Sequence, residues 1–222
     1  MGSWSRDKQA AAGGILAMVL LIVGNFMYGT PPKFNANAAK VVSFYDGHHR
    51  TILVGMILTG LAIPFYVWFI AHLANMVGGA QGRAIGYGGL LVAACAATGD
   101  ALTAAGSHAA HLGDSPTAIR LLYQLSTLSY SRLFWPGIAI AVVLAMYAAG
   151  GGLKSYVRWI AWIQVVVFFL GGISLKEAGF FSVVGGMAVI AYVVYFVGTG
   201  LFAFAMWQSA EESAPAAAHS TA

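Results

Sequence analysis

Charge is scarce in this chain: Asp, Glu, Lys and Arg together make up 8% of its 222 residues. A water-soluble domain carries roughly 25%, because most of its surface must be hydrated. So low a content excludes an ordinary soluble domain and makes hydrocarbon the surrounding solvent. The 59% hydrophobic residues and mean hydropathy of +0.78 agree. Cysteine is almost missing as well. Cys95 stands alone, which excludes intrachain disulfides and multi-cysteine zinc or iron–sulfur sites. Within an apolar run it reads as a buried, inert thiol. Basic blocks are also absent. Eleven Lys and Arg against seven Asp and Glu leave a net +4, but the cations are scattered at the ends of apolar runs. That placement suits membrane boundaries and excludes a nucleic-acid footprint. There is no Walker glycine loop, nucleophile elbow, dinucleotide fingerprint or carbonyl filter motif.

What remains is long apolar runs. About 20 residues at ~1.5 Å each cross a hydrocarbon core of about 30 Å. By that ruler the spans are 11–29, 51–77, 84–106, 133–149, 157–175 and a sixth within 178–207. Backbone groups in lipid must bond internally, and strand-like alternation is lacking, so the spans are helices. The fold class expected is all-α: a polytopic membrane bundle of six transmembrane helices in three hairpins. Pro64 is expected to kink the second span. Residues 1–210 form one domain, and the Ala-, Ser- and acid-rich tail 211–222 is expected to be disordered.

The connections differ by face. Residues 78–83 and 150–152 are short glycine turns. On the opposite face, Phe34, Ala38, Val41, Val42 and Tyr45 recur at helical spacing, and Ser115-Pro116 opens a second mostly apolar segment through Ile119, Leu122, Tyr123 and Leu125. Both read as amphipathic helices in the interface. Basic residues number five on the terminal face and six on the other, which leaves the positive-inside rule undecided. Arg6 and Lys8 before the first span favour cytoplasmic termini in a bacterial inner membrane. Ala36-Asn37-Ala38 resembles a cleavage site whose use would leave five spans. Helix packing in lipid relies on small residues. Gly89, Ala93, Ala97, Ala101 and Ala105 form a stripe at four-residue intervals, expected to place the third span centrally. Tyr28, Tyr45, Tyr66, Trp68, Trp135, Tyr156, Trp159, Trp162 and Trp207 read as an aromatic belt.

Two sets of residues could carry chemistry. Asp100 is the one acid within any span, a position that costs energy and marks function by default. Its readings are a structural acceptor satisfied by hydroxyls or Arg132, a proton or ligand site, or a subunit contact. The second set lies at the loop-rich face: Asp46, His48 and His49 before the second span, and His108, His111 and Asp114 after the third. Imidazoles with carboxylates could hold a divalent metal, although the spacing matches no zinc motif; the alternative is interfacial residues. His72, at the opposite end of the second span, is expected to have no acidic neighbour and cannot join that cluster. As the one histidine within a span, it leaves no matched pair to clamp a haem.

Phe44-Tyr45-Asp46-Gly47-His48-His49-Arg50, followed by Phe65-Tyr66-Val67-Trp68-Phe69, resembles a group of uncharacterised six-pass membrane proteins common in actinobacteria. Gly179-Phe180-Phe181-Ser182 with Gly185-Gly186 resembles their last hairpin. The resemblance implies a fold and no chemistry. With no catalytic set, the first expectation is a non-catalytic accessory or assembly subunit of a membrane or envelope complex, one for lipid transport among them. Its partners would be membrane lipids and other membrane subunits. The alternatives are a metal-binding protein or enzyme using the histidines, and a small proton-coupled carrier centred on Asp100.

Overall fold

The computed structural model describes residues 5–219, with side chains through residue 211. Eight helices occupy the described residues: α1 (Arg6–Phe26), α2 (Ala38–Gly47), α3 (His49–Val77), α4 (Gly79–Leu112), α5 (Pro116–Arg132), α6 (Phe134–Ala149), α7 (Ser155–Gly172) and α8 (Gly186–His219). Six stretches are long and apolar enough to cross a membrane, α5 and α6 counting as one. The protein is an all-α bundle of six spans in three hairpins, with amphipathic α2 and α5 at one face. The tail expected from 211 falls mostly on residues whose side chains are not described, and 220–222 lie outside the description altogether.

Local chemistry accounts for the boundaries. Ser5 and Asn37 cap α1 and α2, each accepting from an amide three residues on. Gly78 alone separates α3 from α4; its φ of 72° lies in the left-handed region that favours glycine. Gly113, with φ 78°, ends α4 in the same way. Pro116 takes the first turn of α5, where a missing N–H costs nothing. Pro64 does not interrupt α3. The carbonyl it deprives of a donor belongs to Gly60, on an exposed and uncrowded side of the helix.

The six spans close into a ring, each touching its neighbours in chain order: α1 on α3, α3 on α4, α4 on α6, α6 on α7, α7 on α8, and α8 back on α1. Glycines set the closest approaches. A Cβ on Gly24 would lie 2.7 Å from the Gly55 carbonyl oxygen, and one on Gly82 would lie 2.2 Å from that of Ala74. The ring has no bore. Tyr66, Phe69, Phe168, Tyr195 and Phe202 meet at its centre around a residual cavity of about 20 Å³, room for one water molecule. Lys8 at the start of α1 pairs with Glu211 near the end of the described side chains at 3.3 Å. The start of α1 and the later part of α8 thus reach one face, the terminal face.

Two expectations change here. The four-residue stripe on α4 is not its packing face. Gly89 and Ala93 are buried, but Ala97, Ala101 and Ala105 are exposed. A helix turns about 100° per residue, so each step of four gains about 40° and the stripe rolls off the contact. The buried line instead advances by threes and fours through Gly82, Ile85, Gly89 and Val92, passes half-buried Cys95 and Ala96, and resumes through Gly99, Thr103, Gly106 and Ala110. The aromatic belt also divides. Trp68, Trp135, Trp159 and Trp162 are exposed as expected, whereas Tyr45 and Tyr66 are core residues at 1% and 4% exposure.

Hairpin α4–α5–α6 is longer than the others. α4 has 34 residues, and the return leg Pro116–Ala149 has 34, broken only at Leu133. Ser129 donates to the Cys95 carbonyl at 2.8 Å, and Ile140 packs on Gly88, so the return leg stays antiparallel to α4 throughout. At ~1.5 Å per residue each leg is about 50 Å long, well over the ~30 Å of hydrocarbon. At the face opposite the termini the start of α3 is level with the end of α4, where His49 stacks on His111. There α2 joins the hairpin, and Val41, Tyr45, Ile52, Met56, Ala110, Ile119 and Tyr123 form a second small core. Tyr123 fastens this lobe by donating to the Pro32 carbonyl.

Candidate functional site

Asp100 lies where the lobe meets the bundle. α4 carries it one residue after Gly99, whose missing side chain lets the Tyr130 ring lie flat on the helix; a Cβ there would be 2.6 Å from that ring. The Tyr130 hydroxyl donates to Asp100 Oδ1 at 2.5 Å, while buried Thr59 of α3 donates its hydroxyl to the Met56 carbonyl at 3.1 Å. The Tyr130 oxygen is 3.9 Å from Met56 Sδ. Asp100 is 9% exposed, and its Oδ2 is buried without a hydrogen bond. The hydroxyl reading of its surroundings is the one realised; Arg132 is exposed and makes no ion pair among the described residues.

Above Asp100, α4 presents Thr103 and Ser107, both buried, on the same face. Ser107 donates to the Tyr45 carbonyl at 3.4 Å, and His49 Nδ1 lies 3.1 Å from Ser107 Oγ. The Tyr45 hydroxyl sits in the small core beside Thr103 and Ser126; burial pushes its pKa up to about 12, against the pull of those two hydroxyls. A column of buried hydroxyls, interrupted at the Tyr45 hydroxyl, which makes no hydrogen bond, thus lies between the lobe surface and Asp100. Below Asp100 the packing positions on α4 are Val92 and Gly89, so the column ends at the carboxylate.

The two histidine groups do meet, in part. His49 stacks on His111 with ring centroids 4.4 Å apart and a 9° interplanar angle, and His108 lies 5.9 Å from His49. His111 Nδ1 is 3.2 Å from Asp46 Oδ1, both side chains 57% exposed. His48 turns away to the Phe44 carbonyl at 2.9 Å. Asp114 takes a backbone role at the helix end, its amide bonding to the Ala109 carbonyl. Among the described residues no three His, Cys, Asp or Glu side chains converge as metal ligands. Stacked imidazoles present ring faces to each other, whereas ligation needs ring nitrogens aimed at one point. His72 does have an acidic partner: Nε2 contacts Asp7 Oδ1 across α3 and α1.

Sequence reasoning missed Tyr130, the residue that holds Asp100. The signal available was the hydroxyl-rich stretch Ser126, Thr127, Ser129, Tyr130 and Ser131, dense for a segment leading into a span. Compared with family models, curated proteins and solved structures, the chain shows no match.

Proposed function

We propose that this is a non-catalytic membrane subunit that works through contacts made by its lobe, in a membrane or envelope complex. The observation carrying this reading is the overlong α4–α5–α6 hairpin, with legs about 50 Å long against ~30 Å of hydrocarbon. A lobe with its own core exposes Leu112, Leu121 and Leu125 at 66%, 55% and 44%. The same lobe exposes His108, His111 and Asp46. Apolar side chains ringed by polar ones are the composition of a docking surface. The filled ring interior favours this role over that of a pore. The cytoplasmic placement of the terminal face, a bacterial inner membrane and kinship with six-pass actinobacterial proteins belong to the same proposal.

A photo-crosslinking residue in place of Leu121 is expected to capture a defined protein in native membranes, and one in place of Val193 on α8 to capture lipid alone. Equal, non-specific capture at both positions would refute the reading.

A second reading rests on the unpaired Oδ2 of Asp100. A buried carboxylate with a free oxygen, next to a column of buried hydroxyls, suits a proton-coupled carrier. It requires Asp100→Asn to abolish solute uptake in proteoliposomes while the variant stays folded; unaltered uptake of every solute tried removes it.

A further inference from the structure

At the terminal face, on the outer side of the α3–α4 hairpin, lies a cavity of about 590 Å³. Its position follows from the sequence. α4 opens with glycine or alanine wherever it faces α3: Gly79, Gly82, Gly86 and Gly89. The α3 side is equally thin at Ala71 and Ala74. The floor is closed where Gly82 lies against the Ala74 backbone carbonyl and Gly89 against the Ile70 side chain. The missing side chains leave a trough above that contact. It runs from Gly78 down to Val67, eleven residues of α3, or about 16 Å at ~1.5 Å per residue.

The trough is chemically graded. At the boundary end stand Arg83 and Asn75, both exposed, beside the first turn of α4, whose amides have no helical acceptor. Among the described residues Arg83 makes no ion pair. Deeper, the walls are Val67, Ile70 and Leu90. A ligand that fits must join an anionic, hydrogen-bond-accepting end to an apolar chain, in that order of depth. The volume lies within the ~300–1,000 Å³ typical of small-molecule sites.

We infer that this trough is a binding site for one anionic phospholipid, its phosphate held by Arg83 and the first amides of α4, and an acyl chain lying over Gly86 between Val67 and Leu90. Arg83 offers a planar fork suited to phosphate, and charge selects anionic over zwitterionic headgroups. The glycines give the chain contact with backbone rather than with side chains. The site lies at the opposite face from the lobe and stands independently of the docking role.

The test uses the full-length protein, purified in mild detergent and loaded with phosphatidylglycerol or phosphatidylcholine of identical chains, with retained lipid read by native mass spectrometry. Wild type is expected to prefer phosphatidylglycerol by about fivefold, the effect of one basic residue near a headgroup. Arg83→Gln should remove the preference. Arg132→Gln, at the lobe face, should retain it. A Cβ on Gly86 would meet only the Ala74 methyl, at 3.8 Å, so Gly86→Leu is accommodated while filling the trough, and it should lose retention of both lipids. Glycerol phosphate should not compete, since it lacks the chain. Equal retention of the two lipids by wild type, an unchanged preference in Arg83→Gln, or displacement by glycerol phosphate would each overturn the assignment. Should Gly86→Leu fail to fold, the Arg83→Gln comparison decides alone.

Discussion

At the scale of single residues, the chain concentrates polarity at a few points and satisfies most of them locally. Asp100 is the clearest. Its Oδ1 accepts from Tyr130, and Gly99 makes that approach sterically possible. Removing a partner from a buried, charge-assisted hydrogen bond costs about 1–3 kcal/mol. Tyr130→Phe and Asp100→Ala are each expected to lower the thermal midpoint in detergent. The double variant should fall less than the sum, because both delete the same bond. Strict additivity would show that the two do not interact. The His72–Asp7 pair is a contrast. Asp7 is 53% exposed, and such pairs are worth about 0–1 kcal/mol. Asp7→Asn should leave the midpoint within a degree or two of wild type. The residues forming these contacts were legible as polar outliers, but their partners were not. Tyr130 lies thirty positions from Asp100 and Asp7 lies sixty-five from His72, and no local period links residues so far apart.

At the scale of elements, α4 shows where pattern reading succeeds and where it slips. Its small-residue content correctly marks a helix that packs closely, against α3, α5 and α6. The face was misjudged because alanine is as acceptable to lipid as to a neighbouring helix. Only glycine discriminates, since a Cβ at Gly82, Gly89 or Gly99 would fall within 2.6 Å of another atom. Gly82→Ala is therefore expected to cut the folded yield sharply, the obstacle being the Ala74 backbone, which cannot swing aside. Ala97→Leu should be tolerated, its side chain entering open space; comparing size-exclusion profiles of the two variants checks this. α5 carries a related lesson. Its apolar period announced an amphipathic helix, but the same apolar face serves a headgroup interface or a neighbouring helix. Here it serves α4 and α2, through Ile119 and Tyr123.

At the scale of the whole molecule, the ring of six spans and the one-sided lobe follow from unequal hairpins. The α4–α5–α6 hairpin is the longest, and together with the start of α3 it gathers α2 into a second core. Six spans place residues 6 and 154 on one face and residues 114 and 176 on the other. With Cys95 replaced by Ala, cysteines introduced at Arg6 and Lys154 should label from one side of sealed vesicles, and those at Asp114 and Lys176 from the other. Any other partition would break the six-span topology. The lobe also explains why, among the described residues, no three of these histidines and acids converge as metal ligands. Topology brings both groups to one face, as their order in the chain requires, but the α3–α4 contact stacks His49 on His111 and leaves His48 and Asp114 turned elsewhere.

Composition determined the solvent, and the lengths and patterning of the apolar runs determined the helical class and the number of spans. Hydrocarbon demands about 20 apolar residues per crossing and internal bonding for every amide, and both demands are met locally along the chain. Tertiary structure decided which small residues touch, what satisfies Asp100, and that a graded trough opens beside Arg83. Each of these depends on helix rotation and on partners distant in sequence. In lipid, apolar side chains are equally at home facing out or in, so hydrophobic patterning carries no information on rotation, and close contact between backbones settles it.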